Sequence, residues 1–371
     1  MRKVIISGGG TGGHVYPAIA IANALSKKAK GIEILFIGAK DKMEMQKVPA
    51  AGYRIEGLLI SGFHRRLTYK NLTFPFKLLY SLWKTSTILD KFKPDVVVGV
   101  GGYASGPTLR SAVNKKIPTL IQEQNSYPGI TNKILGSKVN TVCVAYEGME
   151  RFFPKEKIVL TGNPVRQDLI NIDEKREEAC RFFMLKNDKT TVLVLGGSLG
   201  ARTINNSVTK CIKEKNIISK GIQIVWQTGK FYYDTIVSDP ALSNNPDIRL
   251  HAFIERMDLA FACADIVVSR AGAISISELC IAGKPVILVP SPNVSEDHQT
   301  RNAEALVRHD AAILVKDSEA EILLFEKISD LAFDPLKQRT YTENIKKLAV
   351  PDAADHIADE VLKLISKPEN T

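Results

Sequence analysis

Two parallel-sheet α/β domains in tandem are what this 371-residue sequence predicts. Three observations predict them. Short β-branched runs alternate with amphipathic stretches along the whole chain. The runs are almost continuously apolar, as strands covered on both faces are. Two glycine turns, Ser7–Gly13 and Leu195–Ala201, each follow the first strand of one half and feed a helix.

In the first half the strands read as Val4–Ser7, Glu33–Ile37, Val96–Val100, Thr119–Gln122 and Thr141–Ala145. Helical stretches such as Tyr16–Ser26 and Thr108–Asn114 lie between them. The alternation breaks at Leu160-Thr161-Gly162-Asn163-Pro164. A charged helix, Glu174–Met184, and a polar turn follow. Strands then resume at Thr191–Leu195, Ile222–Gln227, Ile266–Ser269 and Val286–Val289. The expected domains are therefore 1–163 and 164–351. A last helix, about 352–371, carries Ile357, Val361 and Leu364 at helical spacing and is expected to fold back onto the first domain. In open parallel sheets ligands lie at the carboxyl ends of strands, so tandem domains imply a cleft.

Composition narrows the class. Hydrophobic residues make up 44% and charged residues 24%, values of a soluble globular protein. The formal net charge of +10 suits an anionic partner, whether nucleotide, pyrophosphate or lipid surface. The five cysteines form no CxxC pair and are odd in number, which favours cytosolic thiols over a disulfide framework or a zinc site. The apolar stretch at the start stops at Ser7, too short for a signal peptide. No run approaches the roughly 20 apolar residues that span a bilayer.

Gly8, Gly10 and Gly13 satisfy the GxGxxG spacing. Such turns let backbone N–H groups approach phosphate, and the following helix adds its positive end. A dinucleotide fold also wants an acid at the end of the second strand. That strand ends Phe36-Ile37-Gly38-Ala39-Lys40, with no acid before Asp41, which disfavours redox chemistry. A turn built only for helix–sheet packing is the plainer alternative. Five glycines in six residues exceed what packing needs, which favours anion or substrate binding. His14 follows directly. It reads either as a general base, since imidazole titrates near neutrality, or as a residue that hydrogen-bonds the loop and holds its shape.

Further motifs stand in series. The first half holds Gly9–His14, Gly101–Pro107 and Glu123-Gln124-Asn125. Gly162–Arg166, Gly196–Ala201, Ser269–Ala273, Glu278 and Asp297–Ala303 follow. In this order, from the first strand to about residue 309, they resemble the MurG family of peptidoglycan glycosyltransferases. The resemblance implies a GT-B fold, two Rossmann-like parallel-sheet domains facing a deep cleft. It implies inverting transfer of N-acetylglucosamine from UDP-GlcNAc to the C4 hydroxyl of the muramyl sugar of lipid I, giving lipid II. The acceptor would sit on the first domain and the donor mainly on the second.

The same resemblance implies roles. Thr11, Gly12 and Gly13 would touch the donor sugar and diphosphate, Asn125 the sugar, and Arg166 the donor. Ser198 would bind phosphate and Ile254 would offer backbone groups to uracil. Ala273, Ile274, Ser275, Ile276, Ser277 and Glu278 would form a helix start over the nucleotide, with Glu278 on the ribose hydroxyls. Gln299 would contact sugar hydroxyls; the position before it, often Gln in the family, is His298 here. Gly102, Tyr103 and Ser105 would meet the acceptor pyrophosphate, and His14 would be the base. No DxD pair stands at a strand end, so neither metal nor other cofactor is expected.

Between Phe63 and Lys93 the chain is both apolar and basic. Phe76, Leu79 and Trp83 with Lys77 and Lys84 suit an anionic lipid interface, although a core helix with exposed lysines fits the same pattern. The expected partners are UDP-GlcNAc, lipid I and the anionic inner membrane, with no nucleic acid. The expected location is peripheral, on the cytoplasmic face of that membrane. Rival readings are a diacylglycerol glycosyltransferase, a UDP-sugar epimerase and a non-catalytic nucleotide-sugar module.

Overall fold

The computed structural model describes residues 2–60, 74–197, 199–294 and 297–366. The chain divides into two compact units. One runs to Val165 and resumes at Pro351; the other spans Arg166–Val350.

The first unit carries β1 (Lys3–Ser7), β2 (Glu33–Ala39), β3 (Arg54–Leu58), β4 (Val96–Gly99), β5 (Thr119–Glu123), β6 (Thr141–Val144) and β7 (Ile158–Leu160). Among the described residues they form one sheet in the order β3-β2-β1-β4-β5-β6-β7, with every pair parallel. Helices α1 (Gly12–Lys28), α2 (Glu44–Ala50), α3 (Phe74–Phe92), α4 (Ser105–Asn114) and α5 (Ile130–Gly136) connect them.

Residues of the interior strands alternate between two cores, so those strands are largely apolar on both faces. Val4 and Ile6 pack on one face with Ile21 and Leu25 of α1. Ile5 and Val97 pack on the other with Leu89 of α3 and Leu109 of α4. The last described helix, Ala353–Ser366, buries Ile357, Val361 and Leu364 in the α1-side core. Its Asp359 accepts from Lys28 Nζ at 2.7 Å.

In the second unit β8 (Thr190–Leu195), β9 (Ile222–Gln227), β10 (Ile248–His251), β11 (Ile266–Ser269), β12 (Val286–Leu288) and β13 (Ile313–Leu314) pair in the order β10-β9-β8-β11-β12-β13. Val192, Val194 and Trp226 face Ile204 and Val208 of the helix Arg202–Lys213. Leu193, Val225 and Val267 face the opposite core with Leu259 and Phe261. Instead of one charged helix over Glu174–Met184, a 3-10 turn at Ile172–Lys175 precedes a helix at Arg176–Phe182. All five cysteines are buried thiols.

In each sheet the chain winds outward from the first strand in both directions. The order reverses between β1 and β4, and between β8 and β11. At such switch points loops diverge from the carboxyl ends of neighbouring strands and leave a crevice.

Candidate functional site

At the first switch point two glycine loops touch backbone to backbone. The Gly9 N–H donates to the Gly101 carbonyl at 3.3 Å, and the Val100 N–H to the Ser7 carbonyl at 2.8 Å. Gly102 has φ +83°, and a Cβ there would run into the Gly9 carbonyl oxygen. A Cβ at Gly101 would meet His14 Cδ2 at 2.7 Å and Nε2 at 2.9 Å. The imidazole thus lies over the second loop, at the start of α1. Its Nδ1 is 3.2 Å from the Gly9 carbonyl oxygen and 3.1 Å from Thr11 Oγ1. A carbonyl only accepts, which assigns the proton to Nδ1 and the lone pair to Nε2.

The loop is braced from below by Glu44. This carboxylate is 1% exposed and accepts from the Gly10 N–H at 2.9 Å and the Ala39 N–H at 3.0 Å. The strand itself ends at Ala39 with no acid before Asp41, but the fold supplies one from α2. The turn into α2 carries Glu44 back to Ala39, the last residue of β2. The carboxylate is already engaged by the protein's own amides. In the loop, the Gly9 and Gly10 N–H groups are spent internally. The amides of Gly12 and Gly13, in the first turn of α1, are the ones suited to a ligand.

A second buried carboxylate organises the end of β5. Glu123 accepts from the Asn125 N–H at 3.0 Å, Asn125 Nδ2 at 3.2 Å, the Gly129 N–H at 3.2 Å and Asn132 Nδ2 at 2.8 Å. Burial pushes its pKa up, against the pull of those donors. Asn125 is thereby held by its own side-chain amide. Beside it Gln122 Nε2 donates to Asn163 Oδ1 at 3.0 Å, and Gln124 Nε2 to the Val100 carbonyl at 2.8 Å. Tyr103 is 52% exposed, whereas Ser105 is wholly buried. Its Oγ would lie 2.6 Å from a Cβ at Gly99, under the loop. Contact of Ser105 with an acceptor is therefore corrected; Gly102 and Tyr103 remain on the loop surface.

In the second unit the helix Ala273–Ala282 starts directly after β11. No side chain caps it and its first turn holds no acid. The Ile276 N–H already donates to the Gly272 carbonyl at 2.9 Å, and Ser277 Oγ to the Ala273 carbonyl at 3.1 Å. Ile276 is also 2% exposed. The amides suited to a ligand are thus those of Ala273, Ile274 and Ser275, a shorter set than expected. Glu278 stands one turn further, 3.5 Å from Arg166 Nε. Its side chain keeps only 20% exposure. Burial pushes its pKa up to about 7; Arg166 opposes the rise and Asp168 adds to it.

Ile254 is buried, and its N–H donates to Gln227 Oε1 at 2.9 Å. Of its two backbone groups, the carbonyl is the one a base could reach. Gln299, in the first turn of the helix His298–Val307, accepts from the Ser291 N–H at 2.8 Å. Ser198 lies outside the described residues. Among the described residues no group of three or more His, Cys, Asp or Glu side chains gathers as for a metal ion.

On α3, Ser81, Thr85, Leu89 and Phe92 face inward, while Phe76, Leu79, Tyr80 and Trp83 stand 75%, 64%, 39% and 65% exposed. Lys77 and Lys84 are only partly exposed, on the side of α3 that carries buried Ser81. Lys84 Nζ donates to the Gly57 carbonyl at 2.8 Å, which corrects its expected role as a lipid-facing cation. Among the described residues no helix is long and apolar enough to cross a membrane.

Glu44, Gln227 and the Gln122–Asn163 network were missed by sequence reasoning. Only an acid at the end of a buried strand, Glu123, gave a visible signal.

Family models for the glycosyltransferase family 28 N-terminal and C-terminal domains match residues 4–144 and 191–357. The UDP-N-acetylglucosamine--N-acetylmuramyl-(pentapeptide) pyrophosphoryl-undecaprenol N-acetylglucosamine transferase of Flavobacterium psychrophilum is 54% identical over 368 residues, 99% of each chain. The crystal structure of Acinetobacter baumannii MurG superposes with a TM-score of 0.77 at 26% identity, covering 98% of this chain and 100% of that one. A Neisseria meningitidis UDP-GlcNAc 2-epimerase bound to UDP-GlcNAc has a TM-score of 0.67 at 17% identity, covering 98% and 100%. That last likeness is one of fold alone.

Glu278 has a measurable signature. Folding raises its pKa from 4.5 to about 7, so the folded state binds the proton more tightly. The associated stability is fully present below about pH 4.5 and is lost as pH rises through about 7. Glu278→Gln, neutral throughout, lacks that loss. Urea denaturation of the free protein should show the variant gaining on the order of 2–3 kcal/mol over wild type between pH 4.5 and 8. A difference that does not vary with pH contradicts the assignment.

Proposed function

The chain belongs to the MurG family, within glycosyltransferase family 28 and with its GT-B fold of two Rossmann-like domains, and from that premise we infer that it makes lipid II. It transfers N-acetylglucosamine from UDP-GlcNAc to lipid I with inversion. The observation that carries this reading is likeness to transferases of that activity along essentially the whole chain. Epimerases share the fold and not this level of identity.

The chemistry follows from the residues. His14 Nε2 takes the proton of the muramyl C4 hydroxyl. The freed oxygen forms a bond to the anomeric carbon as the bond from that carbon to the UDP oxygen breaks. UDP leaves with the negative charge, and the imidazolium returns its proton to water. Charge on the departing diphosphate is met by Arg166 and the first-turn amides Ala273–Ser275, which carry the positive end of their helix. Ionised Glu278 accepts from the ribose hydroxyls, and the Ile254 carbonyl accepts from uracil. On the acceptor side the Gly102–Tyr103 loop meets pyrophosphate, while the Gly12 and Gly13 amides meet the donor sugar and diphosphate. Asn125, oriented by Glu123, and Gln299 hold sugar hydroxyls.

The outer face of α3 is proposed as the membrane contact. Phe76, Leu79, Tyr80 and Trp83 recur at i, i+3, i+4 and i+7, the spacing of an apolar face lying in the lipid interface. On this reading the enzyme sits peripherally on the cytoplasmic side of the plasma membrane, where its lipid-linked acceptor is anchored.

With labelled UDP-GlcNAc and a lipid I analogue, His14→Ala should cut kcat by about 10²- to 10⁴-fold and leave UDP-GlcNAc binding intact. Near-normal turnover removes His14 as the base. Phe76→Ser with Trp83→Ser should lower sedimentation with anionic vesicles about tenfold or more, since each buried side chain contributes about 1.5–3 kcal/mol. Unchanged sedimentation, with UDP-GlcNAc binding also unchanged, rules out this face.

A further inference from the structure

We propose that Glu44 is a positioning residue for His14, acting through the peptide group that joins Gly9 to Gly10. The proposal rests on the reading of His14 as the base and deepens it. Glu44 opens α2, touches no surface a ligand could reach, and is 1% exposed. Its Oε2 accepts from the Gly10 N–H at 2.9 Å. The Gly9 carbonyl belongs to that same peptide group, and His14 Nδ1 lies 3.2 Å from its oxygen. Carboxylate, peptide and imidazole therefore form one hydrogen-bonded chain. The other carboxylate oxygen is anchored on the Ala39 N–H at the end of β2.

The chain has a chemical consequence. A carboxylate drawing on the N–H end of a peptide raises the negative character of its carbonyl end, because hydrogen bonds in series polarise one another. A stronger acceptor at Gly9 holds the proton on Nδ1 and keeps the Nε2 lone pair available. It also stabilises the imidazolium that forms when Nε2 takes the acceptor proton. A carboxylate in direct contact with a histidine does both in many active sites; here one peptide group stands between them. The backbone bears the mark of the arrangement. A Cβ at Gly9 would collide with the Glu44 carboxylate.

Other titratable groups stand on the elements that meet here. Tyr16 is on α1, and Lys40, Asp41 and Lys42 precede α2. Tyr103 follows β4. Glu123 ends β5, with its carboxylate committed to Asn125, Gly129 and Asn132. Among the described contacts, Glu44 is the charged group joined to His14 through a continuous hydrogen-bonded path.

The test compares Glu44→Gln, Glu44→Asp, His14→Ala and the double variant Glu44→Gln/His14→Ala in the full chain. Imidazole ¹⁵N signals, assigned with His14→Ala, report tautomer and titration in the resting protein. Glu44→Gln should move the His14 titration and the acid limb of the kcat profile to lower pH and cut kcat about tenfold or more. UDP-GlcNAc binding should be unchanged, which also confirms folding. Glu44→Asp, which keeps the charge, should restore the His14 titration towards wild type. In the His14→Ala background, Glu44→Gln should cost almost nothing further.

The proposal is overturned if the His14 titration is the same in Glu44→Gln as in wild type. It is equally overturned if the Glu44 and His14 losses multiply in the double variant. A Glu44→Asp variant as impaired as Glu44→Gln would mark a purely structural brace. Wild-type turnover in His14→Ala would remove the base assignment alone, and the imidazole signals would still decide whether Glu44 governs the ring.

Discussion

The part of the first unit that carries His14 depends on a contact between two pieces of backbone. The loops after β1 and β4 meet where the strand order reverses, and the Gly9 carbonyl occupies the space a side chain at Gly102 would need. The parallel pairing of β1 with β4 brings the loops to the same level, Ser7 opposite Gly99. Small residues on both loops then let them close on each other. His14, the third residue of α1, is delivered over Gly101 as a result. Its placement is a consequence of sheet register and glycine contact before any side-chain interaction is counted.

The second unit works by a different device. There a charge pair, Arg166 with Glu278, stands at the entry of an uncapped helix. Water is scarce enough around Glu278 for burial to outweigh the guanidinium and raise its pKa to about 7. A carboxylate held in that condition gains more from two ribose hydroxyls than a fully hydrated one would, because the ligand replaces solvation already lost. Unpaired first-turn amides complete the arrangement with partial positive charge.

The sheets were legible in sequence to the depth that burial writes into it. Interior strands such as β1, β4, β8 and β11 are apolar runs rich in β-branched residues, a pattern that sequence alone shows. The strands overlooked were β3, β7, β10 and β13, and these are the four sheet edges. They are short, part-exposed or interrupted by charge, as in Arg54-Ile55-Glu56-Gly57-Leu58, so apolar periodicity is weak there. The glycine loops were legible because few residue types tolerate that backbone, and His14 because it directly follows one of them. The bracing acids were not. Glu44 reaches Gly10 across 34 positions, and that proximity exists only once α2 has folded back. Ser105 failed for a related reason. A motif gives position along the chain, and helix phase decides that its hydroxyl points beneath the loop. On α3 Phe76, Leu79 and Trp83 are exposed as apolar spacing suggests, but Lys84, expected beside them, reaches the Gly57 carbonyl, a partner that lies 27 positions away in the chain.

The contact between the glycine loops is most directly tested by Gly102→Ala. The added methyl group collides with the Gly9 carbonyl at a residue whose φ is +83°. The account predicts a folded protein that binds UDP-GlcNAc as wild type does, because Arg166 and Glu278 are untouched, with transfer to a lipid I analogue reduced about a hundredfold or more by displacement of His14. Wild-type transfer by Gly102→Ala would contradict it.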